Sequence, residues 1–365
     1  MKKTLLLSTA IVAFAGMAVA DVALTGRAEM GILGGSDEDN ADFFTDIDVT
    51  FTMSGETDGG LSFGASVDLD EGGDGSAASD DNTDDGGATI FISGGFGKLT
   101  MGDTDGALDW ALTDAGDNNN GGSLGDDETE HAGYLGAYLD GAYDGQIARY
   151  EYSFGDFGVA ISAETDDSDD DGDDDGERDA GYALGFKYDT DLGGVGLSLG
   201  IGYQYVAGGY TLEFGRFDEI AGDNNGDLET PALGDTDAIG LSISADFNNG
   251  LVAGLTYNNW DVDDDDGVEA DIQHVGVGIG YTTGALTLHA NYGVFELTDV
   301  ADLDDGDGTI DGFGLSAAYD LGGGAVVHAG YGSSSYDFDD DLAAAVGVDD
   351  DGNGSTYTFG LGLSF

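Results

Sequence analysis

Along most of the chain, apolar and polar residues alternate one for one. In "FFTDIDVTFTMS", Phe43, Ile47, Val49, Phe51 and Met53 share one parity, and Asp46, Asp48, Thr50, Thr52 and Ser54 share the other. "VALTGRAEMGIL" repeats the pattern, with Val22, Leu24, Met30 and Ile32 set against Thr25, Arg27 and Glu29. Successive side chains of a strand leave on opposite faces, so a period of two predicts β-structure and not helix. Strands are predicted near residues 22–33, 43–54, 60–70, 88–94, 98–103, 146–153, 158–164, 180–188, 195–205, 238–247, 251–259, 272–281, 285–295, 311–319, 325–332 and 355–365, sixteen in all. The last of them is the comb "TYTFGLGLSF", which ends on Phe365.

The connections alternate in length. "GGFG", "NNG", "TTG" and "LGGG" have the Gly and Asn of tight hairpin turns. "GGDGSAASDDNTDDGG", "TDDSDDDGDDDGERD", "DVDDDDGVEA" and "ELTDVADLDDGDGT" are long and acidic. An even number of strands, with short turns at one end and long loops at the other, predicts an all-β, transmembrane, up-and-down antiparallel barrel. The interior of a sixteen-stranded barrel is too wide for side chains to fill, so the apolar parity must face lipid and the polar parity water. Aromatic residues cluster at both ends of the expected apolar band. Tyr152, Phe154, Phe157, Tyr188, Phe247, Tyr281, Tyr319 and Phe365 lie on the short-turn side, and Tyr203, Tyr205, Tyr257, Tyr292 and Tyr331 on the long-loop side. Such girdles mark the headgroup levels. The final strand must pair with residues 22–33 to close the barrel, which places Phe365 at the periplasmic rim.

Charge then narrows the class. The 365 residues carry 75 acids against 8 bases, a net charge of −67, with 67 Gly, one Pro and no Cys. That field excludes nucleic acid as a partner and attracts cations. Without Cys there is neither a disulfide framework nor thiol chemistry. Residues 1–20, "MKKTLLLSTAIVAFAGMAVA", read as a basic, apolar and small-residue export signal, with a membrane anchor as the alternative. The mature chain is then residues 21–365, a single barrel domain.

"VALTGRAEMGIL", "VTFTMSGETDGGLSFGASV", "ISGGFGKLTMGDTDGAL" and "GFGLSAAYDLGGGAVVHAGY" resemble the general porins of the Rhodobacter type, from the outer membrane of alphaproteobacteria. The match is strongest in the first 110 residues and the last 60. It implies a water-filled channel for ions and small hydrophilic solutes, a homotrimer in outer-membrane lipid, and a third loop folded into the pore. A C-terminal aromatic such as Phe365 also resembles the signal read by the outer-membrane assembly machinery. The chain departs from that family in its few inner-wall bases and its Asp-rich loops.

Residues 103–145 lack strand periodicity, and the resemblance places them in the barrel as the constriction; an ordinary external loop is the alternative. They offer Asp103, Asp105, Asp109, Asp114, Asp117, Asp126, Asp127, Glu128 and Glu130. The lumen parity adds Arg27, Glu29, Asp46, Asp48, Arg149, Lys98, Lys187 and His289. Lys98 and Lys187 sit beside short turns, at the periplasmic mouth. Arg27 and Arg149, nearer mid-depth, would either set a transverse field against the loop's acids or pair with neighbouring acids. His274, His289 and His328 are expected as solvated wall residues, with metal binding or a pH gate as the lesser alternatives. So acidic a lumen predicts a cation preference.

No cofactor is required. Asp349, Asp351 and Asn353 have the spacing of a Ca²⁺ loop, but Gly360 stands where the loop needs Glu. Loose divalent screening between acidic loops is expected instead. Two other classes fit less well. A barrel lipase or protease needs a nucleophile beside a base, and no His has Ser two residues before it. A secreted Ca²⁺-binding β-roll needs a nine-residue Gly–Asp repeat that does not recur.

Overall fold

The computed structural model describes residues 21–36, 41–73, 87–126, 128–135, 138–140, 146–165, 181–207, 234–263, 269–298, 300 and 306–365. Residues 1–20, Asp127 and most of 206–237 lie outside that set.

Sixteen antiparallel strands close into one barrel. They are β1 (Asp21–Gly35), β2 (Asp42–Glu56), β3 (Ser62–Gly73), β4 (Ala88–Gly94), β5 (Gly97–Gly102), β6 (Ile147–Phe154), β7 (Phe157–Glu164), β8 (Gly181–Leu192), β9 (Val195–Val206), β10 (Asp235–Asp246), β11 (Leu251–Asp263), β12 (Glu269–Thr283), β13 (Leu286–Thr298), β14 (Gly308–Gly322), β15 (Ala325–Phe338) and β16 (Asp351–Ser364). Each strand pairs with its sequence neighbours, and β1 closes on β16 with Arg27 opposite Ser364 and Gly35 opposite Thr356. Phe365 extends that seam: its N–H donates to the Gly26 carbonyl at 2.8 Å, and its side chain is 68% exposed on the outside. Both edges are thereby removed.

Parity assigns the faces as the pattern predicts. Leu255, Tyr257, Val275, Val277, Ile279, Leu288, Tyr292, Phe313, Leu315, Phe359 and their like point outward, while Thr256, Asn258, Ser316 and Thr358 are buried inside. The lower aromatic girdle is a continuous run of rings, Tyr152 to Phe154 to Phe157 to Tyr188, with centroids 4.5–6.4 Å apart.

The strands differ from expectation at their external ends. β11 to β15 run three to six residues beyond the predicted limits there. A 15-residue strand such as β12 spans about 50 Å, so even tilted by about 40° it stands above an apolar band about 25 Å tall. Outside the membrane the polarity reverses. On β11, Asp261 and Asp263 face outward while Trp260 and Val262 are buried inward. Trp260, Phe295, Ile310, Tyr336 and Phe338 form an apolar core within the external part of the barrel, together with Leu342 of the short helix Asp340–Val346. Water bathes the outer face there, so the parity that was polar at membrane level becomes the apolar one.

Candidate functional site

The segment that leaves β5 lines the inside of the barrel. Its first turn of helix, α1 (Ala107–Ala111), rests on β7, β8 and β9. Hydrogen bonds then carry the chain around the wall. The Ala107 N–H donates to Ser162 Oγ on β7 at 2.8 Å, and the Thr113 N–H donates to Ser242 Oγ on β10 at 3.1 Å. Asn119 Nδ2 reaches Thr282 Oγ1 on β12 at 2.8 Å, and Ser316 Oγ on β14 donates to Asn120 Oδ1 at 2.9 Å. The Gly125 N–H donates to Glu29 Oε2 on β1 at 2.8 Å. The chain then turns back. Asn291 Nδ2 on β13 donates to the Thr129 carbonyl at 2.8 Å, the Ala132 N–H to Ser334 Oγ on β15 at 3.0 Å, and the Leu139 N–H to Gln204 Oε1 on β9 at 3.2 Å.

Glycines on the wall make this close seating possible. An added Cβ would stand 1.7 Å from the Ala115 carbonyl oxygen at Gly278, 1.9 Å from the Ala107 oxygen at Gly185 and 1.9 Å from the Gly133 oxygen at Gly293. Main chain lies on main chain, which only residues without a side chain allow.

The loop's acids divide into two sets. Asp103, Asp105, Asp117 and Glu130 are exposed, and Asp126 is half-exposed. Asp114 and Glu128 are buried, at 8% and 0%, so the expectation that they line open water is corrected: Glu128 turns to the wall, and Asp114 turns to the returning leg of the loop. Glu128 lies where Gly314, Gly330 and Gly332 leave room for it. Asp114 accepts a hydrogen bond from Tyr138 Oη at 3.2 Å. Burial, with help from Asp117, pushes its carboxyl up to about 7. Burial and then Asp114 and Asp140 push Asp109 up to about 8. Asp140 rises to about 6 by burial, against the opposing bonds from the Gly106 N–H and Gln204. Asp127 lies outside the described residues.

Three of the four wall bases stand beside carboxylates. Arg27 Nη2 lies 2.6 Å from Glu29 Oε1, so the carboxylate that caps Gly125 also holds Arg27. Buried Arg149 donates to the Asp105 carbonyl and stands 3.5 Å from that residue's carboxylate and 3.6 Å from Glu151. Lys98 is 3.6 Å from Glu151, and Lys187 lies over the Trp110 ring of α1, 3.7 Å from its centroid. Arg27 pairs with its strand neighbour Glu29, whereas Arg149 meets both its neighbour Glu151 and the loop's Asp105, so that pair also anchors the loop. Asp46, Asp48 and Asp68 are half-buried on the inner face of β2 and β3, where Thr50 Oγ1 donates to Asp68 at 2.9 Å.

The histidine expectation is overturned. His274, His289 and His328 do lie on the inner wall, but at 2%, 4% and 5% exposure they sit beneath the loop and are not solvated. The sequence reading also missed Ser162, Ser242, Gln204 and Ser334, whose lumen parity was the available signal. Asp351 and Asn353 lie on extended β16, their side chains on its outer face, where a strand cannot curl around an ion as a Ca²⁺ loop must. Among the described residues no three His, Asp or Glu side chains converge to hold a metal.

The comparisons agree with this geometry. The family model described as Gram-negative porin matches residues 7–341. The porin of Rhodobacter capsulatus is 28% identical over 340 residues, which span 88% of this chain and 97% of that one. Among solved structures, a porin refined at 1.8 Å is similar with a TM-score of 0.64 at 23% identity, over 94% of this chain and 100% of the other. A variant of the Rh. blastica porin gives 0.56 at 16% identity over the same shares. A closed sixteen-stranded barrel, lipid-facing outside and lined by a folded loop inside, together with the family match over most of its length, shows that the chain belongs to the Gram-negative porins, channels integral to the outer membrane.

Proposed function

We propose that the channel prefers cations and that residues 103–145 form its constriction. One observation carries the reading: carboxylates stand on both sides of the water path, while three of the four described bases are paired with acids and the fourth lies over a ring. The loop offers Asp105, Asp117, Asp126 and Glu130, and the β2–β3 wall offers Asp46, Asp48 and Asp68. Arg27, Lys98, Arg149 and Lys187 each have an acid or a ring beside them. Because the loop's contacts run along β7 to β16 and onto β1, with Arg149 of β6 tied to its start, the passage follows the remaining sector, β2 to β5. Negative potential on both banks concentrates cations and small cationic solutes and excludes anions. Transport is diffusion down a gradient, and no step calls for an enzyme's nucleophile and base.

The same reading takes the protein as a homotrimer whose subunits meet through apolar outer faces, exported by residues 1–20 and inserted by the assembly machinery through Phe365. It also takes divalent cations, Ca²⁺ included, as loose screening ions among the outer acids. The test is the zero-current potential across a planar bilayer in a salt gradient. Cation preference makes the dilute side positive; a negative dilute side overturns the reading while leaving the channel intact.

A further inference from the structure

The chain has four histidines, and all four lie where the loop meets the wall. His274 Nε2 on β12 is 3.0 Å from the Gly133 carbonyl, His289 Nδ1 on β13 is 3.2 Å from the Asn118 carbonyl, and His328 Nδ1 on β15 is 3.0 Å from the Gly122 carbonyl. The fourth, His131, is in the loop itself and accepts the Gly133 N–H on Nδ1 at 3.1 Å. A carbonyl oxygen can only accept, so the wall nitrogen facing it carries the hydrogen: Nε2 in His274, Nδ1 in His289 and His328. The opposite ring atoms, His274 Nδ1 and His289 Nε2, are buried without a partner. These rings therefore spend their one donor on the loop.

Their placement is selective. Asn118 and Gly122 belong to the outward leg of the loop and Gly133 to the returning leg, so both legs are held. On β12, His274 is followed on the inner face by Gly276, Gly278 and Gly280. The glycines let the loop's main chain descend onto the wall, and the histidine supplies a rigid donor that glycine lacks. The Phe295 ring, 4.4 Å from that of His274, limits where the imidazole can turn.

We propose that His274, His289 and His328 are positioning residues of the channel, latching both legs of the loop to the wall and so setting the width of the open passage. The inference rests on the constriction reading above, and the experiment separates the two. The imidazoles are replaced in three ways. A matched set places an amide nitrogen where the ring nitrogen stood: His274→Gln, His289→Asn and His328→Asn. A mismatched set exchanges the reach: His274→Asn, His289→Gln and His328→Gln. A third set makes all three Phe, which keeps ring volume and removes the donor.

Hydrogen exchange of residues 113–135 reads the latch, and single-channel current in a planar bilayer reads the pore. Each lost bond should lower protection about fivefold, and three on the order of a hundredfold. The Phe and mismatched sets should exchange faster and give noisier, altered conductance, and the matched set should restore both. Should the Phe set fail to assemble, the matched and mismatched sets, equal in polarity, still decide. Equal exchange in these two sets overturns the latch. Faster exchange with unchanged conductance upholds the latch and overturns the constriction reading.

Discussion

Replacing Gly278 with alanine should narrow the pore from behind. The new Cβ would stand 1.7 Å from the carbonyl oxygen of Ala115, whereas a carbon and an oxygen in contact need about 3.3 Å. The obstructing atom is main chain on the loop, not the end of a side chain that can swing aside. β12 is held by its ladders to β11 and β13, so the loop must yield, rising roughly 1.5 Å toward the lumen. Overpacking of this kind costs about 1–3 kcal/mol, too little to undo a sixteen-stranded barrel. Single-channel conductance of Gly278→Ala should fall, and adding Gly185→Ala, where the Cβ meets the Ala107 carbonyl at 1.9 Å, should lower it further. Gly196→Ala is the control: its Cβ would lie an ordinary 3.7 Å from Asp246, and conductance should match the wild type. A Gly278→Ala channel that conducts like this control would refute the close seating of loop on wall.

Three further outcomes are expected. Buried Asp114 and half-buried Asp109 and Asp140 have carboxyls raised above their unfolded values, so their contribution to seating is full below about pH 4 and is lost as pH rises through about 6 to 8. His131, pushed down to about 3 by burial, works the other way and weakens the seat as pH falls below about 6.5. Three acids outweigh one imidazole, so the loop's protection factor, corrected for the intrinsic exchange rate, should be greatest near about pH 3–4 and fall as pH rises toward about 8; a flat profile would count against the burial of these groups. Removing Phe365 deletes its backbone bond to Gly26 and an outward ring; the yield of assembled barrel should drop while the conductance of what assembles stays normal. Trp260→Ala empties a fully buried site in the external apolar core, costing about 3–5 kcal/mol, read as a lower unfolding temperature; an unchanged temperature would show that this core bears no stability.

All sixteen strands were legible because lipid outside and water inside impose a strict period of two. The reading ended early on β11 to β15 because Trp260, Leu297, Ile310 and Tyr336 break the parity rule, and they break it because the solvent changes sides above the membrane. The fate of His274, His289 and His328 was hidden for another reason. Parity placed them inward, but whether an inward residue meets water or another segment depends on a loop with no periodicity. A signal was present in the lumen-parity glycines of "HVGVGIG" and "GFGLS", since a wall stripped of side chains is a wall built to receive something. Asp114 and Glu128 were indistinguishable from Asp117 and Glu130 for the same lack of periodicity.

The absence of Cys from the chain permits the most direct test of the account, which is that cations pass between the acidic β2–β3 wall and a loop seated on β7 to β16. Thr50→Cys puts a thiol on that wall, and Ser242→Cys puts one under the loop at a site 4% exposed. Cationic and anionic thiol reagents of equal size are applied to each channel in a bilayer while current is recorded. The account predicts that Cys at position 50 is modified, faster by the cation and with a step loss of current, and that Cys at 242 is untouched. Modification at 242, or faster reaction of the anion at 50, would contradict it.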